Sequence, residues 1–200
     1  MSAVSERRER DRAHRHQLIV TAAREIAETE GWDAVTTRRL AERVAYSQPV
    51  LYSHFHGKDA IVSAVALDGF RELGDHLRRA RRATSGRAPA LRSVCRAYLE
   101  FATGRPALYQ AMFVLPTDLK FASAETPPAL RDSFDEIVHC FDPDDERREL
   151  FAEVLWSALH GMVVLADSGR IPPDLQEERL DLLLAQLPAT PDRPPGRVSG

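Results

Sequence analysis

The stretch that most constrains this chain is TTRRLAERVAYSQPVLYSHF, Thr36 to Phe55, in which two short helical patterns are separated by only three residues. In the first, Leu40, Ala41 and Val44 share one face, and Thr36 or Thr37 supplies the N-cap hydroxyl that such a short helix needs. AYS breaks the pattern. Ser47 is the next N-cap, and Pro49 sits in the first turn of the second helix, where a missing N–H costs nothing. At about 100° per residue, Leu51 and Phe55 fall on one side of this helix, Gln48–Phe55, near Gln48. Pro49 and Ser53 point the other way, flanked by Tyr52 on one edge and by Val50 and His54 on the other. A two-turn helix with two apolar anchors must be held by its neighbours, and it offers outward a small, hydrogen-bonding face. Two helices so joined have helix-turn-helix geometry, and the second fits a DNA major groove.

The remainder is also helical by periodicity. Ala13–Glu30 repeats Leu18, Ile19, Ala22, Ala23, Ile26 and Ala27 at three- and four-residue steps and stops at Gly31. A helix from about Gly57 and Lys58 to Arg82 carries Ile61, Val62, Val65, Ala66, Phe70, Leu73 and Leu77. Ala83–Ala88 reads as a linker. Further helices are predicted over Pro89–Thr103, Pro106–Leu115, Pro128–Phe141, Asp144–Asp167 and Asp174–Leu187, and no strand-like alternation competes with them. The fold class is therefore all-α, with about nine helices. The expected organisation is a basic, flexible arm over 1–12, a DNA-binding domain over 13–60, a helical body over 61–187, and a Pro-rich, disordered tail over 188–200.

Net charge is −3, which by itself disfavours nucleic acid. The distribution is more informative: residues 1–60 hold 10 Lys+Arg against 9 Asp+Glu, and the remaining residues hold 17 against 21, so the acidity lies away from the reading helix. Arg7, Arg8, Arg10, Arg12 and Arg15 make the arm basic, diluted by Glu6, Glu9 and Asp11. The longest nearly apolar run, Gly161–Ala166, is short of the roughly 20 residues a membrane span needs, and the N-terminus has no apolar signal stretch, so a cytoplasmic protein is expected. Cys95 and Cys140 lack metal-ligand spacing and read as two reduced, part-buried thiols.

The outer face suits DNA. Ser47, Ser53 and Gln48 can reach base edges, Val50 can meet a thymine methyl, Pro49 shares the DNA-facing side, and Tyr52 and His54 can donate to phosphates. Thr37 and Arg38 open the preceding helix, and Lys58 adds a charge beside helix N–H groups that themselves attract phosphate. LAERVAYSQPVLYSHFHGKDAI resembles the DNA-binding pattern of the TetR family, with Leu51, Tyr52, His54, Phe55 and Lys58 in register and Lys58 one of only two lysines in the chain. It departs from the family at Ala45, where glycine is usual; a non-glycine residue at positive φ costs on the order of 1 kcal/mol. Glu42 would weaken binding if it lay near DNA.

Farther along, RPALYQAMF and VLWSALHGMVVLADSGRI resemble a TetR C-terminal subclass marked by Trp, His and Gly on one helix. The resemblance implies a homodimer through the last two helices, about 144–167 and 174–187, and an effector cavity enclosed by the helices before them. Tyr98, Phe101, Met112, Phe113, Phe134 and Val138 would supply its aromatic and flexible lining, although any helical core would also hold them. Trp156 and His160 are core or subunit-seam residues first, and effector contacts second.

No reactive constellation stands out. His14/His16 and His54/His56 lack companion ligands for a metal, His139 and Cys140 are adjacent rather than on one face, and Asp144 and Asp145 are explained as helix-capping acids. No cofactor, metal site, catalytic residue or membrane partner is expected. The chain reads as a homodimeric, effector-responsive transcriptional regulator, a repressor released from a near-palindromic operator by a small apolar or amphipathic effector. The alternatives are an activator and an architectural DNA binder without an inducer.

Overall fold

The computed structural model describes residues 3–187, and the predicted disordered tail lies outside them. Among the described residues there are nine α-helices and no strand: α1 (Ala3–Glu30), α2 (Thr37–Val44), α3 (Gln48–His54), α4 (Lys58–Arg82), α5 (Arg87–Gly104), α6 (Pro106–Phe113), α7 (Pro128–Val138), α8 (Arg148–Asp167) and α9 (Gln176–Gln186). Short 3-10 turns occupy Trp32–Ala34 and Pro173–Leu175.

Three boundaries differ from expectation. α1 starts at Ala3, so residues 3–12 continue the helix instead of forming a separate arm. Glu6/Arg10, Arg7/Asp11 and Asp11/Arg15, each four apart, favour helix there without any apolar stripe. α8 starts at Arg148, not Asp144. The Asp142 carboxylate accepts from Asp144 N at 3.1 Å and Asp145 from Arg147 N at 2.9 Å, so these acids close turns ahead of the helix instead of capping it. The linker shortens to Ala83–Gly86, with Gly86 at φ 92°.

The chain forms two compact units: residues up to Phe70 together with Arg105–Pro127, and Arg71–Gly104 together with the chain from Pro128. The first is built on α1. Ile19, Ala23, Ile26 and Ala27 pack with Trp32, Leu40, Leu51, Phe55, Ile61 and Val65 in its core. α6 belongs to this unit although its sequence neighbours do not. Its Ala107 and Leu108 N–H groups, left without intrahelical partners, donate to the Glu28 carboxylate at 3.3 and 3.0 Å, and the buried Trp32 indole donates to Ala107 O at 2.8 Å. Gly69 permits the close approach of α4 to α6, because a Cβ there would lie 2.6 Å from Met112 Sδ.

The second unit packs Leu77, Val94, Tyr98, Leu99, Phe101, Ile137, Leu155, Leu159 and Leu180 into its core. Glu136 is buried and accepts from Arg78 Nε at 2.9 Å and Arg81 Nε at 2.8 Å, so its charge is matched by α4. Arg96 binds Glu177 with both ends of its guanidinium, at 3.0 and 2.6 Å, and Arg92 pairs with Asp181, fastening α9 to α5. Cys95 and Cys140 are free and buried, and burial pushes both thiols up to about 12.

α8 is long and apolar enough to cross a membrane by length and composition alone, which the run-length argument did not anticipate. Its apolar residues divide between two faces. Ala152, Leu155, Leu159 and Val163 are buried, while Leu150, Val154, Val164 and Leu165 are exposed on the opposite side with Gly161 among them.

Candidate nucleic-acid interface

The site begins with a cap. Thr36, not Thr37, is the N-cap of α2, its hydroxyl accepting from Arg39 N at 3.2 Å. At the other end Ala45 takes the left-handed conformation, φ 56° and ψ 37°, the value expected where the family pattern has glycine. Tyr46 N donates back to Ala41 O at 3.0 Å, so the helix ends in a Schellman-type turn without glycine. This sharp reversal brings the chain to Ser47 within two residues.

Ser47 holds the N-cap position of α3, but no side-chain cap bond is made; its carbonyl accepts from Val50 N and Leu51 N at 3.0 and 3.2 Å. The hydroxyl stays exposed. α3 is seven residues long, with Leu51 and Phe55 buried to 1% and 4% exposure and Tyr52 48% exposed. Burying each anchor contributes about 2 kcal/mol, enough to hold a helix too short to persist alone. Gln48, Pro49 and Ser53 are exposed, Val50 and His54 half-buried. Ser53 Oγ donates to Val50 O at 2.7 Å and keeps oxygen lone pairs for an outside donor.

Two neighbours of α3 were not legible beforehand. His16 of α1 stacks on Phe55 at 4.4 Å between ring centroids and lies 6.3 Å from the His54 ring. Arg12 reaches to 3.5 Å from Ser53 O. Burial lowers the His54 pKa first, with Arg12, His16 and Arg15 adding to the effect; burial also lowers that of His16, partly offset by Asp68. The Lys58 ammonium donates to Trp32 O at 2.5 Å, which gives this lysine a structural partner beside its expected phosphate role. Arg38 pairs with Glu42 at 3.0 Å, both side chains exposed, so the acid flanking the face is already neutralised.

The residues expected to line an effector cavity are divided between the units. Met112 lies under Gly69, and Phe113 meets Phe70 and Tyr109 at 5.1 and 4.7 Å in the first. In the second, the Trp156 indole donates to Tyr98 Oη at 3.1 Å and its ring meets Phe134 at 6.2 Å, with Phe101 and Val138 buried and His160 half-buried. None of the eight lines the open groove of about 1000 Å³ on the first unit. In that groove, bounded by Gln17, Thr21, Glu25, Arg39, Arg43 and Asp68, Arg43 pairs with Glu25 at 2.9 Å, Arg39 pairs with Glu30, and the Gln17 amide donates to the Asp68 carboxylate at 2.8 Å.

Comparison with known proteins matches the chain in two parts. Residues 19–65 match the family model described as bacterial regulatory proteins, tetR family, and residues 91–187 match the one described as the tetracyclin repressor-like C-terminal domain, a description that does not distinguish the Trp-His-Gly subclass. The chain is 34% identical over 95 residues to the uncharacterised HTH-type transcriptional regulator YobS of Bacillus subtilis, covering 48% of this chain and 49% of that one. It is 29% identical over 158 residues to the uncharacterised HTH-type transcriptional regulator Rv0681 of Mycobacterium tuberculosis, covering 76% and 70%. The match thus spans about half of the first relative and over two thirds of the second. A solved protein of unknown function from Rhodococcus sp. RHA1 shares the fold, with a TM-score of 0.68, 23% identity, and coverage of 86% and 94%. With a helix-turn-helix whose reading face points outward and both halves matching the same family, the chain belongs to the TetR family, as a DNA-binding transcriptional regulator and not an enzyme.

Proposed function

We propose that this regulator is a cytoplasmic repressor that binds a near-palindromic operator as a homodimer and is released by a small apolar or amphipathic effector. The observation that carries the DNA half is α3, pinned by Leu51 and Phe55 with Gln48, Pro49, Tyr52 and Ser53 exposed. Gln48 and Ser53 read base edges, Val50 and Pro49 meet methyl groups, and Ser47, Tyr52, Thr37 and Arg38 hold phosphates. His54 and Lys58 add phosphate contacts at and beyond the C-terminal end of the face.

The homodimer is supported by the outer face of α8. Leu150, Val154, Gly161 and Leu165 run along the side opposite its core residues, and Leu182 of α9 is 68% exposed. A Cβ at Gly161 would meet nothing within 4 Å in the single chain, so its smallness serves an approach from outside. Two such faces related by a two-fold axis bury each other and set the separation of the two α3 helices.

In this proposal the effector is bound in the second unit by Tyr98, Phe101, Phe134, Val138, Trp156 and His160, while Met112 and Phe113 belong to the first unit. α6 is clamped to α1 by Glu28 and Trp32 yet joined at both ends, through Gly104 and Pro127, to segments of the second unit. In this reading the effector favours a dimer body whose separation of the two α3 helices no longer matches successive grooves. The effector acts only by its differential affinity for the two arrangements.

Fluorescence anisotropy on DNA flanking the regulator's own gene, against scrambled competitor and across a salt series, tests the proposal. Tight, competitor-resistant binding by two chains per site is expected; equal, weak binding on both DNAs would replace it with an architectural binder.

A further inference from the structure

The first three turns of α1 contribute nothing to the core: residues 4–15 are exposed throughout. A helical segment that buries no apolar face has its use outside the chain, and its charges are arranged on one side. At about 100° per residue, Arg8, Arg12 and Arg15 fall within about 60° of one another. Glu6 is turned more than a quarter-turn away, while Glu9 and Asp11 border the line, one about 60° from Arg12 and the other about 40° from Arg15. The line leads to α3. Arg12 lies 3.5 Å from Ser53 O, and one residue past Arg15, His16 stacks on Phe55.

We infer that the Arg8–Arg12–Arg15 face of the α1 extension is a second DNA-contacting surface, which grips phosphates of the strand bordering the groove that α3 enters. This rests on the reading of α3 as the groove-entering helix. A major groove about 12 Å wide is walled on both sides by phosphates, so a cationic line abutting one end of a helix seated in it meets backbone, not bases. Guanidinium suits that target, because its planar fork takes two phosphate oxygens at once. The half-buried pair His16 and His54 fixes the extension against the end of α3, so the three arginines arrive already positioned. Arg7 and Arg10 lie off this line and add only to the general field.

The test uses the full chain and two 30-base-pair duplexes, one of random sequence and one enriched by the wild-type protein from a randomised pool. Arg8→Gln/Arg15→Gln should bind both duplexes about tenfold or more weaker at 0.15 M salt, with the preference between them unchanged and the log–log salt slope shallower by about 1.8 per chain. Glu6→Gln/Glu9→Gln should leave the slope as it is. A wild-type slope in the arginine variant, while Gln48→Ala still alters the preference, overturns this inference and leaves the reading of α3 standing. No preference in the wild-type protein overturns both. Equal and opposite effects of the two double variants would make the extension a general field and not a grip. Arginine-dependent binding to phosphatidylglycerol vesicles with an unchanged duplex slope would assign the face to a membrane surface instead.

Discussion

α3 and α8 solve the same local problem with opposite chemistry. Each presses one apolar stripe inward, Leu51 and Phe55 in one, Ala152, Leu155, Leu159 and Val163 in the other, and each leaves the reverse side uncovered within the chain. On α3 that reverse side is Gln48, Pro49, Ser53 and the exposed Tyr52; on α8 it is Leu150, Val154, Gly161 and Leu165. A polar outer side loses little in water and gains from a partner rich in donors and acceptors. An apolar one is stabilised only when another apolar surface excludes water from it. The contrast teaches what kind of surface each helix fits, a nucleic-acid groove in one case and, in the function proposed above, the same apolar face of a second copy in the other.

The largest effect should come from charging the α8 face. Val154→Glu/Leu165→Glu is expected to give a folded monomer by sedimentation and to lower affinity for a two-half-site duplex by on the order of 10²- to 10⁴-fold, the avidity that linkage of two reading helices supplies. Unchanged dimerisation would break the comparison. Next is Glu136→Ala, which leaves Arg78 and Arg81 facing each other without their shared carboxylate. Because both arginines retain access to water, with side chains 35% and 25% exposed, a loss of about 2 kcal/mol in urea unfolding is expected, with duplex preference intact. Ala45→Gly should act the other way, stabilising the chain by about 1 kcal/mol by relieving positive φ at the turn before α3. A destabilised variant would show that the turn depends on the alanine methyl.

The smallest expected effect is pH dependence. His16 beside α3, His54 at its end and His160 on α8 all titrate below their ordinary value of 6.5, with burial the leading cause in each. The unfolded chain therefore takes up these protons at higher pH than the folded one. The stability they contribute is complete above about pH 6.5 and is lost as pH falls toward the folded values. Thermal midpoints should drop from pH 7.5 to 5.5. His16→Asn should flatten the part belonging to the reading end, and His160→Asn the part belonging to α8; a midpoint independent of pH would refute the assignment.

Much of this was legible because periodicity reports local burial. The anchors Leu51 and Phe55, the three-residue break from Ala45 to Ser47 and the approximate spans of the helices follow from spacing alone, while the left-handed turn at Ala45 was implied only by the family resemblance. The helical start of α1 was not, because Arg and Glu at four-residue spacing stabilise a helix without the apolar stripe that marks one. The allegiance of α6 was not either, since the Glu28 carboxylate that caps it lies 79 residues from Ala107 in sequence. Lys58 stood out as a rare residue, but its bond to the Trp32 carbonyl depends on where a 3-10 turn begins, which no short pattern encodes.

The two tryptophans of the chain divide evenly, Trp32 in the unit that carries α3 and Trp156 in the other, each with its indole N–H engaged, to Ala107 O and to Tyr98 Oη. The molecule therefore contains an emitter in each half, differing in colour because Trp32 is buried and Trp156 is half-buried and closer to water. With Trp32→Phe or Trp156→Phe, the remaining fluorescence comes from a single unit. Quenching or a spectral shift on adding a duplex or a candidate effector then names the half that responds, and the order in which the two halves respond in a stopped-flow trace gives the direction in which the signal travels.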